Sequence, residues 1–408
     1  MPRTTRARPS RRRARRAALT ALAGPALLLP ACATETSPAA AQTGGHGDVA
    51  GAEELAEPQL RLSYLDTSGQ VHALDLLTGE TIAVGSVGPA AAVAGDGRFL
   101  FVASDPAGEL TVVDTGTWTV DHGDHAHYYR AQPRVVGALD WDGAVRVASS
   151  ERVTTLFSAD TGAGVVLDRA ALGQGRIDRL ATTEVTPHDG VLLPLGDSLI
   201  ATGPDRVAVL DAAGEPVDGV EAPCEDVRGG AATLVGVVVS CADGAVLATE
   251  ADGAVAFERI PYPEPVAAGD RATAFAQRPG RPVLAAVAGE RGVWLLDTRA
   301  RSWQLVGTPT PLVRAVAADD ERDRVLGLDV TGRLVVIEPA TGGTATTDVL
   351  VAAPDEPAAV TLEVDADRAY VNVPSAGVVH EVDYADGARI ARTFDTAVPP
   401  AFLAETGR

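Results

Sequence analysis

The chain has 408 residues, 46% of them hydrophobic and 22% charged, with 42 Gly and 27 Pro. That is ample material for a packed core and rules out wholesale disorder. Acids outnumber basic residues 55 to 34, no lysine occurs, and the formal net charge is −21, a field that repels phosphate backbones, attracts cations and argues against nucleic-acid binding.

Eight of the arginines fall within residues 1–31, which hold no acid. An arginine-rich opening from Arg3 to Arg16 precedes the apolar stretch Ala17–Ala31, too short to span a bilayer comfortably. This pattern predicts an export signal over residues 1–31. The stretch ends in Leu29-Pro30-Ala31-Cys32, similar to a lipoprotein cleavage box in which Cys32 becomes the lipidated first residue. Pro30 is not the usual occupant of its position, so ordinary secretion stands as the alternative. The run Arg11-Arg12-Arg13-Ala14-Arg15-Arg16 also fits a twin-arginine route. Each reading places the mature protein outside the cytoplasm, touching the membrane only through a lipid anchor. Residues 32–57, rich in Ala, Glu, Gly and Pro, read as a flexible tether in which His46 is simply solvated.

From residue 58 to 408 the texture is all-β. An apolar strand, then Asp, one to three small residues and Gly recurs along the chain. Copies include Val71-His72-Ala73-Leu74-Asp75 with Gly79, Leu110-Thr111-Val112-Val113-Asp114 with Gly116, and Val207-Ala208-Val209-Leu210-Asp211 with Gly214. Others are Val293-Trp294-Leu295-Leu296-Asp297 and Val378-Val379-His380-Glu381-Val382-Asp383 with Gly387. Asp binds backbone N–H groups just ahead of it, and Gly supplies the positive φ that closes a hairpin. The period of roughly 40–50 residues, without helical periodicity, fits radial repetition in a single β-propeller. Eight units can be counted; seven is the alternative, because the copy near Ala245–Leu247 is weak. The apolar run Ala401-Phe402-Leu403 is placed to pair with the first unit and close the ring.

Seven histidines occur. His72 and His380 hold corresponding slots in the first and last cassettes, which suggests structural or surface roles. His122, His125 and His127 are clustered in Asp121-His122-Gly123-Asp124-His125-Ala126-His127-Tyr128-Tyr129. If Ala126 is extended, His125 and His127 share a face, and with Asp124 they make a partial zinc site. The segment reads as a junction between two units. His188, in Thr186-Pro187-His188-Asp189-Gly190, reads as the next such junction, and successive junctions would converge on one mouth of the ring. Three histidines and a carboxylate would close a four-coordinate shell, suited to holding and handing over a metal rather than to hydrolysis. Cys224 and Cys241 lie 17 apart, and an exported location favours a disulfide over two separate buried thiols.

Taken together, the exported repeat protein, the stretch ending His125-Ala126-His127-Tyr128-Tyr129, the segment Pro187-His188-Asp189-Gly190-Val191 and the cysteine pair resemble the AztD-type periplasmic zinc metallochaperones. The resemblance implies a non-enzymatic carrier that delivers zinc to the substrate-binding protein of an ABC-type zinc importer. Carried over by position, it implies His122, His125, His127 and His188 as metal-site candidates, with Asp124 and Asp189 as ligands or as partners of the ligands. Two other classes compete. One is a lipid-anchored scaffold that binds a protein or cell-envelope partner without a metal. The other is a propeller enzyme, against which stand only four tryptophans and the lack of a nucleophile elbow or a lysine-bearing phosphate loop.

Overall fold

The recurring aspartate works as the sequence suggests. Asp75 Oδ1 accepts from the backbone N–H groups of Leu77 and Thr78 at 2.9 and 3.0 Å, and Gly79 adopts a φ of 74°. Asp211, Asp297, Asp329 and Asp383 receive backbone N–H groups two to four residues further on in the same manner. Each thereby caps a turn that would otherwise leave donors unpaired. At Gly162 (φ 76°) no side chain fits, since a Cβ would lie 2.0 Å from the Val185 carbonyl oxygen.

The computed structural model describes residues 49, 51–104, 108–122, 125–352 and 360–408. The expected export signal, Cys32, His46 and Asp124 lie outside the described residues. Ten strands open the described chain: β1 (Glu53–Leu55), β2 (Arg61–Leu65), β3 (Gln70–Asp75), β4 (Thr81–Ser86) and β5 (Ala92–Gly95), then β6 (Phe99–Ser104), β7 (Glu109–Asp114), β8 (Thr117–Asp121), β9 (Ala126–Arg130) and β10 (Arg134–Asp140). The first sheet has the order Phe402–Thr406, β2, β3, β4, and the second the order β5, β6, β7, β10. Six further antiparallel sheets of three or four strands follow in chain order, over residues 145–184, 192–223, 230–261, 283–306, 312–346 and 362–395.

These sheets pack face to face, each on the next. Phe99, Phe101, Leu110 and Val112 of the second sheet meet Leu156, Val165 and Leu167 of the third. Val238 and Leu247 of the fifth meet Trp294 and Leu296 of the sixth. Leu62, Tyr64 and Leu74 of the first meet Tyr370 and Val379 of the last, so the series closes on itself as a β-propeller. Middle strands are consequently apolar on both faces rather than alternating; all six residues of β6 are buried. The ring is fastened by register as well as by packing. Phe402–Thr406 pairs antiparallel with β2, from Leu65↔Phe402 to Arg61↔Thr406, extending the pairing expected of the terminal apolar run. Cys224 and Cys241 form a disulfide with a Cα–Cα distance of 5.1 Å, tying the exit of the fourth sheet to the second strand of the fifth.

One small sheet stands apart from this series. β8 and β9 form a hairpin inserted between β7 and β10, and β1 pairs along the outer side of β9. Two expectations change here. The histidine-rich segment is not a junction between units: β10 resumes pairing with β7, so the segment is an excursion within one sheet. Glu53–Leu55, inside the stretch expected to be a flexible tether, is an ordered strand, because β9 offers it a free edge (Glu53↔Arg130, Glu54↔Tyr129, Leu55↔Tyr128).

Candidate metal centre

The inserted hairpin is built from β-favouring residues, Thr-Trp-Thr-Val on β8 and His-Tyr-Tyr on β9. Its register, Trp118↔Tyr129, Val120↔His127 and Asp121↔Ala126, is continued by a bond from the His122 N–H to the His125 carbonyl at 2.9 Å. His122 and His125 are therefore paired at the end of the hairpin, and His127 follows two residues along. Paired residues share a face and faces alternate along a strand, so His127, Tyr129, Trp118 and Val120 occupy one side of the hairpin.

At the tip the three imidazoles converge. Their centroids stand 5.0 Å apart for His122–His125, 5.3 Å for His122–His127 and 5.0 Å for His125–His127. One ring nitrogen of each lies within 4.8 Å of the others. A tetrahedral zinc ion with Zn–N bonds near 2.0–2.1 Å holds its donors roughly 3.4 Å apart, so modest closure of the tip would seat one. His122 and His125 are exposed and His127 is half-buried, leaving the side away from the sheet open. The Nδ1 of His127 lies 2.6 Å from Glu54 Oε1 on β1.

The base of the hairpin is rigid where the tip is open. Trp118 and Tyr129 are 5% and 3% exposed and stack at 5.3 Å. The Arg98 guanidinium lies 3.6 Å from the centre of the Trp118 ring and is held by Asp114 through two bonds of 3.2 and 3.0 Å. On the opposite face, Thr119, Asp121 and Tyr128 line a cavity of about 910 Å3 together with Glu363, Glu405 and Arg408. Thr119 Oγ1 donates to the Gly407 carbonyl at 2.7 Å. The histidines thus point away from this cavity. Within it, burial pushes the Glu405 carboxyl up to about 7 against the opposing pull of Arg408, and Glu363 is raised by the same cause.

The remaining candidates are elsewhere. His188 is not brought to the other three: its Nδ1 is 2.9 Å from the Thr186 carbonyl oxygen, its Nε2 2.8 Å from Thr202 Oγ1, and its ring meets Phe157 edge-on. Asp189 is bound to Arg146. Among the described residues no fourth side chain joins the histidine group. The reason is topological, since 186–190 links two sheets whereas 122–127 is an insertion within one. His72 stacks on Tyr64 at 5.4 Å and His380 Nδ1 lies 2.9 Å from Thr393 Oγ1. Burial lowers the pKa of both, which fits packing roles. Arg228 pairs with Asp226 at 3.0 Å. In the sequence Glu53 and Glu54 stand out only as acids of the N-terminal arm; nothing in residues 49–57 signals that Glu54 pairs into a strand beside His127, more than seventy residues away.

No family model matches the chain. A curated relative, the zinc chaperone AztD of Citrobacter koseri, is 25% identical over 261 residues, 60% of this chain and 61% of the relative, so the alignment spans less than two thirds of that protein. Two crystal structures of Citrobacter koseri AztD, one of them apo, each match with a TM-score of 0.74 at 20% identity, covering 86% of this chain and 98% of theirs. The dihydro-heme d1 dehydrogenase NirN matches more distantly, with a TM-score of 0.52 at 16% identity over 86% of this chain and 76% of its own, a likeness of fold alone. By sequence and architecture together, the chain is similar to AztD-type proteins and shares their fold.

Proposed function

We propose that this protein is an extracytoplasmic zinc chaperone that holds the ion as cargo on His122, His125 and His127. The observation that carries the reading is the convergence of three imidazoles, with donors within 4.8 Å, at one exposed hairpin tip. Neutral imidazole is a good zinc ligand, and three of them leave one coordination position for water or a recipient's side chain. The surroundings favour exchange over catalysis, because hydrolytic zinc sites depend on a shaped, water-excluding cavity and this tip is open. The relative named a zinc chaperone points the same way.

In this reading the export signal over residues 1–31 and lipidation at Cys32 place the protein in the cell envelope. The Cys224–Cys241 disulfide supports an oxidising compartment. The recipient is the substrate-binding protein of an ABC-type zinc importer, whose ligands would reach the ion from the open side. His188, Asp189 and Asp124 are not needed to form the three-histidine set. Equilibrium dialysis of the chain lacking residues 1–31 against micromolar zinc tests the proposal. One tightly held ion per chain is expected, lost in the His125→Ala/His127→Ala double variant. Absence of stoichiometric uptake, or uptake indifferent to both substitutions, overturns it.

A further inference from the structure

We infer that Glu54 is the positioning residue of the metal site: it fixes the tautomer and orientation of His127 and thereby sets how tightly the tip holds its ion. The inference rests on the zinc-carrier reading and deepens it. Its basis is the 2.6 Å approach of Glu54 Oε1 to His127 Nδ1, made from a strand of three residues that belongs to no sheet of the ring. A carboxylate accepts the Nδ1–H and leaves the lone pair on Nε2, and it makes the imidazole a stronger donor. The register places Glu54 opposite Tyr129, on the face that carries His127, while Glu53 pairs with Arg130 at 3.0 Å from the other face. The two neighbouring acids are thus sorted by alternation, one toward the histidines and one away from them. Because Glu54 arrives on a short outer strand, metal affinity becomes coupled to the docking of β1. Lifting β1 withdraws the carboxylate and frees the ring of His127.

The experiment pairs zinc affinity with a spectroscopic readout on the metal-free protein. Competition with a chromophoric chelator measures the affinities of wild type, Glu54→Ala, Glu54→Gln and Glu53→Ala. Nitrogen NMR of 15N-histidine-labelled samples at mildly alkaline pH reports which nitrogen of His127 carries the proton. Glu54→Ala is expected to bind zinc roughly 10- to 100-fold more weakly and to shift His127 from Nδ1–H toward Nε2–H. Glu54→Gln, which keeps an acceptor oxygen, should recover part of both, and Glu53→Ala should match wild type. Wild-type affinity in Glu54→Ala, an unchanged tautomer, or equal weakening by Glu53→Ala overturns the inference. If wild type takes up no zinc, the carrier reading falls and with it the metal role of Glu54, while the NMR measurement still decides whether Glu54 governs the tautomer.

Discussion

Arg98 is clamped between a ring and a carboxylate: its guanidinium lies 3.6 Å from the centre of Trp118 and bonds twice to Asp114. The pair is buried, with side-chain exposures of 8% and 2%. It joins the ring of sheets to the base of the histidine-bearing hairpin. Replacing Arg98 by Ala leaves Asp114 with the more distant Arg134, at 3.7 Å, and the Gly116 N–H, at 3.1 Å. Breaking a buried pair from one side costs about 3–5 kcal/mol. Urea unfolding of Arg98→Ala should show a loss of that order, and a loss below about 1 kcal/mol would mean that the pair behaves as a surface one.

Removal of individual histidines separates the site from the scaffold. Alanine at His122, His125 or His127 should each lower zinc affinity by more than the roughly 10–100-fold typical of partners beyond the ligands. Alanine at His188 should leave affinity unchanged and act on stability alone, since it breaks contacts with Thr202 and Phe157. Isothermal titration on the four variants reads this directly; a zinc defect in His188→Ala would show that the junction reaches the ion after all.

The disulfide should matter to folding and not to metal. A loop of the size closed by Cys224 and Cys241, 17 residues apart, is worth about 3 kcal/mol. The Cys224→Ser/Cys241→Ser variant is expected to unfold at lower urea and to keep one zinc per chain. Loss of zinc stoichiometry in a folded double variant would contradict this assignment.

Stability should also fall as pH rises through the range set by Glu405. Burial lifts its carboxyl from 4.5 to about 7 in the folded state, so between those values the native chain binds more protons than the unfolded one. The slope of unfolding free energy with pH is then negative, at most about 1.4 kcal/mol per pH unit for one proton. Glu363, raised by the same burial, acts in the same direction. Glu405→Gln should flatten the profile between pH 4.5 and about 7, as measured by urea midpoints. An unaltered slope would assign the effect elsewhere.

Much of this was legible because it is governed by local chemistry. The aspartates at 75, 211, 297 and 383 announce turns whose hydrogen bonds span only a few residues, and repetition of those turns fixes the all-β ring. The shared location of His125 and His127 followed from strand alternation alone. What could not be read is long-range. Residues 117–130 carry the same composition whether they join two sheets or bulge out of one, and only the β7–β10 pairing decides between these. For that reason the meeting of His188 with the others was expected and does not occur. The place of Glu54, in sequence only an acid of the N-terminal arm, was illegible for a related cause, as it is specified by the free edge of β9 and not by anything in its own neighbourhood.

Because β10 takes up its partner β7 with the hairpin simply looped out, the histidine-bearing tip is an appendage that the pairing of the ring does not need. Chemistry at residues 122–127 can drift, be erased or be swapped for another coordination set while the circular framework persists.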